Sequence, residues 1–218
     1  MTDNPLETSG PGGSRAKAAR IMLVAFAVVA FVAVAGAVFW LSEQQARKMQ
    51  VGIPDFSSQE FQLTDQSGTP RSAADFAGAP VALFFGYTYC PDVCPMTLTL
   101  LANALDEVGD RGLDTTGLQT IFVTVDAERD TPEQLAAYLS LFDTEVTGLT
   151  GPSEALVNVQ RDFGAYASRV ERDDGVVLWD HTATVYLYDA EGRFTGTIVF
   201  NEPPEFVIEK LASLFVAG

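Results

Sequence analysis

Five consecutive apolar residues, Val81-Ala82-Leu83-Phe84-Phe85, are the strongest constraint this chain places on its own folding. A half-exposed strand would alternate apolar and polar residues, so an unbroken short run fits a strand covered on both faces. Thr120-Ile121-Phe122-Val123-Thr124-Val125 has the same character. Between the two runs, Leu98, Leu101, Leu105 and Val108 recur at helical spacing. Pro95 suits the first position of that helix, where its missing N–H costs nothing, and Gly109 is placed to close it. Right-handed crossovers would place the helices over a central sheet.

The remaining segments extend the alternation. Glu60–Leu63 followed by Asp65-Gln66-Ser67-Gly68 reads as a short strand and turn. Thr131-Pro132-Glu133-Gln134 has the form of a capping box, followed by Leu135, Tyr138, Leu139 and Phe142 on one helix face. Val146–Thr150 reads as a short strand. Ser153 is expected to cap a helix carrying Leu156, Val159 or Gln160, and Phe163. Thr182–Tyr188 and Phe194–Phe200, joined through Asp189-Ala190-Glu191-Gly192, form an antiparallel hairpin, and Pro204–Phe215 a final amphipathic helix. This order predicts an α/β, thioredoxin-like sandwich: a central mixed sheet flanked by helices, with an extra helical insertion.

Ahead of that domain, residues 21–41 contain no charged side chain. As a helix, at about 1.5 Å per residue, the run is about 31 Å long, enough for a bilayer core. Ala35-Gly36-Ala37 resembles a signal-peptide cleavage site, but Val38-Phe39-Trp40-Leu41 continues the apolar run where a polar region belongs. Trp40 suits a membrane interface. The expectation is therefore a retained transmembrane helix at 21–41, a disordered cytoplasmic tail at 1–20, a tether at 42–54 and the globular domain at 55–218. Arg15, Lys17 and Arg20 precede the span, while Arg47 and Lys48 follow it at a distance. By the positive-inside rule the tail lies in the cytoplasm and everything after Leu41 outside it. The net charge of −16 excludes nucleic acid as a partner, since phosphates repel such a surface.

The soft and imidazole ligands are few: Cys90, Cys94 and His181, apart from four methionines. The cysteines stand in Tyr89-Cys90-Pro91-Asp92-Val93-Cys94-Pro95, between the first core strand and its helix. Loops at the carboxyl ends of strands are where open α/β sheets bind ligands, and a helix N-terminus favours thiolate. A disulfide closing so short a loop would add little stability. Two uses remain open: two thiolates and an imidazole around a soft ion such as Cu(I), or a dithiol that exchanges electrons. Three residues between the cysteines, rather than two, let the sulfurs splay around an ion, though a disulfide stays feasible. No proline lies between Pro152 and Pro203, where thioredoxin-type oxidoreductases set one opposite their cysteines; Trp179-Asp180-His181 occupies that place. Zinc usually takes four protein ligands, and only Asp92 or Asp180 offers a fourth. Met96 offers a thioether but is expected in the core.

Three motifs in order, Gly86-Tyr87-Thr88-Tyr89-Cys90-Pro91-Asp92-Val93-Cys94-Pro95, Val125-Asp126-Ala127-Glu128-Arg129-Asp130-Thr131-Pro132 and Asp180-His181-Thr182, resemble those of the Sco/SenC family over residues 55–218. That resemblance implies a membrane-anchored copper chaperone for cytochrome c oxidase assembly, a carrier rather than an enzyme. It implies Cys90, Cys94 and His181 as ligands of a copper ion, Cu(I) foremost and Cu(II) besides. It also implies delivery to the binuclear copper site of cytochrome c oxidase subunit II, with an upstream periplasmic copper donor. Asp126 and Asp130 match the family's acidic loop, although Asp130 and Thr131 equally suit a helix start. Ala127 and Ala190 stand where the family often has proline, which removes a constraint from two loops. The alternative is a thiol-disulfide oxidoreductase that reduces the partner's cysteines before metallation. A peroxidase is disfavoured by the lack of a separate Thr-x-x-Cys loop.

Overall fold

The computed structural model describes residues 52–216, together with four earlier positions, 22, 31, 34 and 36, which are helical. The expected tail, the rest of the 21–41 span and most of the tether lie outside the described residues. Among those described, no helix is long and apolar enough to cross a membrane. The globular unit is Ile53–Gly218.

Among its described residues this unit has nine strands and four α-helices. In chain order they are β1 (Leu63–Asp65), β2 (Pro70–Arg71), β3 (Val81–Gly86), α1 (Val93–Asp110), β4 (Gln119–Thr124), α2 (Pro132–Leu139) and β5 (Val146–Thr150). Then come α3 (Ser153–Asp162), β6 (Ala167–Glu171), β7 (Val177–His181), β8 (Thr184–Tyr188), β9 (Phe194–Val199) and α4 (Pro204–Val216). Seven strands form one mixed sheet in the order β2-β1-β5-β4-β3-β8-β9, and β6 and β7 pair only with each other. The apolar run predicts its own position correctly: all six residues of β3 are buried, at the centre between parallel β4 and antiparallel β8. This is the thioredoxin-like mixed α/β arrangement.

Parallel register places Phe84 opposite Phe122 and Phe122 opposite Gly148, so all three share one face. Phe84 and Phe122 meet with centroids 5.9 Å apart, and Tyr138 of α2 packs onto Phe122 at 5.9 Å. On the other face Phe85 meets Tyr186 and Phe163, and Phe163 in turn meets Phe56 and Tyr188. Helices α1 and α4 pack together.

Several boundaries differ from the sequence expectation. The first strand begins at Leu63, not Glu60, because its pairing partners are Pro70–Arg71 and Leu149–Thr150. Helix α1 begins at Val93, so Pro95 lies third in the first turn, where amide donors still lack partners. It runs past Gly109 and ends in a Schellman turn at Gly112 (φ 87°), with Leu113 N–H donating to Val108 O and Gly112 N–H to Gly109 O. Thr131 does cap α2, accepting from Gln134 N–H at 3.2 Å, but Gln134 turns its side chain to Thr88 instead of closing a box. Phe142 lies beyond the end of α2. Ser153 is the first helical residue of α3 rather than its cap, which is Pro152. Met96 is 54% exposed and not a core residue. The β6–β7 ribbon has no counterpart among the predicted elements.

The loops around Ala127 and Ala190 are held by side chains. The Asp189 carboxylate accepts from Glu191 N, Arg193 N and Arg193 Nε across the turn containing Ala190. Two buried carboxylates, Asp126 and Asp130, bracket Ala127. Every Lys and Arg among the described residues pairs with a carboxylate at 3.9 Å or closer.

The β1–β2 turn is built on one carboxylate. Asp65 is 3% exposed and accepts from Ser67 N (2.8 Å), Ser67 Oγ (2.5 Å), Thr69 N (3.0 Å) and Arg71 Nε (2.7 Å). Burial alone would raise its pKa, but the Ser67, Arg71 and Thr69 bonds outweigh it and hold the group at about 2. A depressed folded-state pKa gives stability that is complete above the unfolded value and lost as pH falls. Asp65→Asn should therefore cost about 1.5–3 kcal/mol in urea unfolding at neutral pH. The gap to wild type should close as pH drops from about 4 towards 2; a gap independent of pH would refute this account.

Candidate metal centre

The cysteine loop leaves the C-terminal end of β3, the central strand, and α1 begins within it. Cys94, on the second residue of α1, is fully buried, while Cys90 is half-buried. The Cys94 N–H donates to Cys90 Sγ at 3.4 Å, so the helix N-terminus is directed at that sulfur. Gly86, the last residue of β3, makes room for the pair. A Cβ there would stand 2.9 Å from Cys94 Sγ and 2.7 Å from Phe122 Cε2, closer than carbon can approach either.

His181 arrives from the other direction, as the last residue of β7. Its ring sits edge-on to Tyr87 (centroids 5.7 Å, 89°) and Phe84 (6.1 Å, 72°). Nδ1 lies 3.1 Å from the Thr182 carbonyl. A carbonyl only accepts, so Nδ1 donates to it and Nε2 is left facing the sulfurs. Nε2 is 3.5 Å from Cys94 Sγ. The ligand atoms of Cys90, Cys94 and His181 all lie within 4.8 Å of one another. The three residues singled out in the sequence are thus brought together, with Cys94 and His181 87 positions apart in the chain. Among the described residues no carboxylate joins that group, and Asp92 and Asp180 are both exposed.

The two sulfurs divide their protonation unequally. A hydrogen bond from Cys94 lowers Cys90 to about 4 against the opposing effect of burial, with His181 and the Cys94 amide helping. The hydrogen bond to Cys90, and then burial, push the Cys94 thiol up. The pair holds one proton between them, on Cys94. A bound cation displaces that proton and leaves two thiolates and a neutral imidazole. Such a set, soft, three-membered and without a fourth protein ligand, fits Cu(I) and falls short of a structural zinc site.

Both loops beside the centre depend on Asp130, which is wholly buried. It accepts from Thr88 N (3.0 Å), Thr88 Oγ1 (2.6 Å) and Thr124 Oγ1 (2.5 Å), tying the cysteine loop to the end of β4. Burial raises its pKa while the threonine hydroxyls draw it back. The cap of α2 is Thr131, so Asp130 is neither a cap nor a surface acid. Asp126, also buried, pairs with Arg129. Thr88, Gly86 and the Thr182 carbonyl have no role that the sequence alone assigns. Gly86 and Thr88 lie inside the first motif, but nothing in their letters marks a sulfur seat or a buried anchor.

Known proteins share the fold. Residues 53–216 match the SCO1/SenC family profile, and the chain belongs to that family. It is 30% identical over 154 residues to the SCO2-like protein of Rickettsia felis, spanning 70% of this chain and 74% of that one. It is 38% identical over 152 residues to the mitochondrial SCO2 homolog of Danio rerio, spanning 69% of this chain but only about half (52%) of the relative. Among solved structures, copper-bound ScoI of Bradyrhizobium japonicum superposes with a TM-score of 0.64 at 38% identity, over 72% of this chain and 98% of that one. Copper-bound yeast Sco1 gives 0.65 at 28% identity, over 73% and 88%.

Gly86→Ala tests the steric account of the sulfur seat. We expect a loss of about 1–3 kcal/mol from overpacking and faster alkylation of Cys94 in the metal-free protein, read by mass spectrometry after a thiol-reagent pulse. Unchanged stability and unchanged Cys94 protection would remove the argument.

Proposed function

We propose that this protein is a copper carrier that holds its cargo at Cys90, Cys94 and His181. The observation that carries this reading is the convergence of two sulfurs and one imidazole nitrogen within 4.8 Å, with Nδ1 engaged by the Thr182 carbonyl and Nε2 turned towards the sulfurs. The copper-bound state of the Bradyrhizobium and yeast relatives supports it. The cargo is Cu(I) foremost, with Cu(II) as the second state.

We further propose the finer setting that the family resemblance implies. Residues 21–41 anchor the chain in the inner membrane, residues 1–20 remain in the cytoplasm, and residues 42–54 tether the domain in the periplasm. There it receives copper from an upstream donor and delivers it to the binuclear site of cytochrome c oxidase subunit II. Transfer by ligand exchange needs an accessible, under-coordinated centre, so that an incoming thiolate bonds before an outgoing one leaves. The half-buried Cys90 supplies the open side, and the buried Cys94 the fixed one.

Copper stoichiometry of purified variants tests the reading. Cys90→Ser and His181→Ala should each lose copper retention while keeping the wild-type circular dichroism and unfolding midpoint. Full loading in either would count against the site. A second reading draws on the unequal cysteine pair: a low-pKa thiolate beside a buried thiol is also the equipment of a dithiol reductant. In that role the protein reduces the target's disulfide, taking up two electrons' worth of oxidation as a Cys90–Cys94 disulfide. The two readings part at His181→Ala, which would leave such reduction intact.

A further inference from the structure

The imidazole and the sulfurs stand on parts of the fold that differ in support. Cys90 and Cys94 follow the central strand of a seven-stranded sheet, whereas His181 ends a two-stranded ribbon that makes no strand pairing with that sheet. A lone two-stranded ribbon is at best marginally stable by itself, so side-chain contacts must hold it in place. Half of the residues in the two strands are polar and none is fully buried.

Ala167 and Trp179 pack against the core, and Arg129 adds the polar link. Its Nε pairs with the buried Asp126, on the loop after β4. Its Nη1 donates to the carbonyl of Val177 at 2.9 Å, at the start of the strand that His181 ends. Its guanidinium lies over the ring of Tyr89 at 4.9 Å and near that of Tyr87 at 5.9 Å. Tyr89 adjoins Cys90, and Tyr87 packs edge-on against His181 itself. Nη2 is buried without a partner. A guanidinium free to choose would turn that nitrogen to water, so the other contacts hold it in place.

We propose that Arg129 is the positioning residue of the centre: it fixes His181 relative to the two sulfurs and thereby sets how well the site holds Cu(II) relative to Cu(I). The inference rests on the copper-carrier reading and adds a residue that touches no ligand atom. Cu(I) is soft and takes most of its bonding from the two thiolates, which Arg129 does not hold directly, so an imidazole that is present but less firmly placed costs it little. Cu(II) prefers nitrogen and oxygen donors and more of them, so it depends on an imidazole kept in place. Loss of an outer partner that orients a ligand typically weakens metal binding about 10–100-fold.

The test is Arg129→Gln in the full-length protein, with two readouts. In the metal-free protein, amide hydrogen exchange at Leu178–His181 should quicken while exchange in β3 and β4 stays as in wild type. In titrations with Cu(II) alone, affinity should fall by about 10–100-fold, whereas loading with Cu(I) under anaerobic conditions should match wild type. Arg129→Lys, whose ammonium cannot pair with Asp126, donate to Val177 and stack on Tyr89 at once, should fall between. It carries the same readouts if the glutamine variant does not fold. Cu(II) affinity within about twofold of wild type would overturn the proposal, as would equal weakening of both oxidation states, the mark of a merely structural residue. Wild-type protein that takes up no copper would instead overturn the carrier reading, which keeps the two failures distinct.

Discussion

A carboxylate with no exposure to solvent, that of Asp130, holds together the two loops on which the centre stands. Burying a carboxylate is costly unless its oxygens are satisfied, and here two threonine hydroxyls and an amide do so. Because Thr88 lies two residues before Cys90 and Thr124 closes β4, the bonds fix the cysteine loop against the core strands. The sulfurs then need only a seat, which Gly86 leaves by having no side chain, and a helix start, which Cys94 supplies. Removing the carboxylate would leave three donors, that of Thr124 buried and the two of Thr88 partly so, unanswered at the edge of the site. Its importance comes less from the strength of each bond than from the cost of leaving its partners unpaired.

The centre is assembled from two kinds of support. The sulfur side is part of the hydrophobic core: Cys94 is buried among Gly86, Phe122 and the first turn of α1. The imidazole side is attached from outside, through aromatic edges and a guanidinium. A carrier gains from that division. Rigid sulfurs keep a soft ion from being lost to water, while a more lightly held third ligand leaves room for exchange. The hydrogen bond between the cysteines and the deeper burial of Cys94 make the sulfurs differ in acidity, so that one is ready to bond before any metal arrives.

Much of the fold and of the centre is legible in the letters. The run Val81–Phe85 announces a doubly covered strand, and β3 is one. Cys90, Cys94 and His181 can be placed together because the loop after a core strand and the residues before β8 face each other in this topology. The features that escape such a reading do so for physical reasons. The β6–β7 ribbon is exposed on much of both faces, so Ser168, Arg169 and Glu171 show no period-two apolar pattern. Asp130 reads the same whether it caps a helix or is buried beside one, since only tertiary contact decides. Met96 reads as core because methionine usually is, yet its place on the first turn of α1 leaves it open to solvent. Gly109 and Gly112 are both plausible stops, and only the helix length selects the second.

The ion pairs carry one more implication. With each guanidinium and ammonium of the described residues already matched, the carboxylates left over give the surface an uncompensated negative field. That field reaches about 10 Å into a solution of 0.1 M salt and collapses as salt is added. Anionic surfaces are kept at a distance, while cationic ones are drawn in before any contact forms. Ionic strength should therefore govern how often this domain meets such a surface far more than how firmly the two hold once joined.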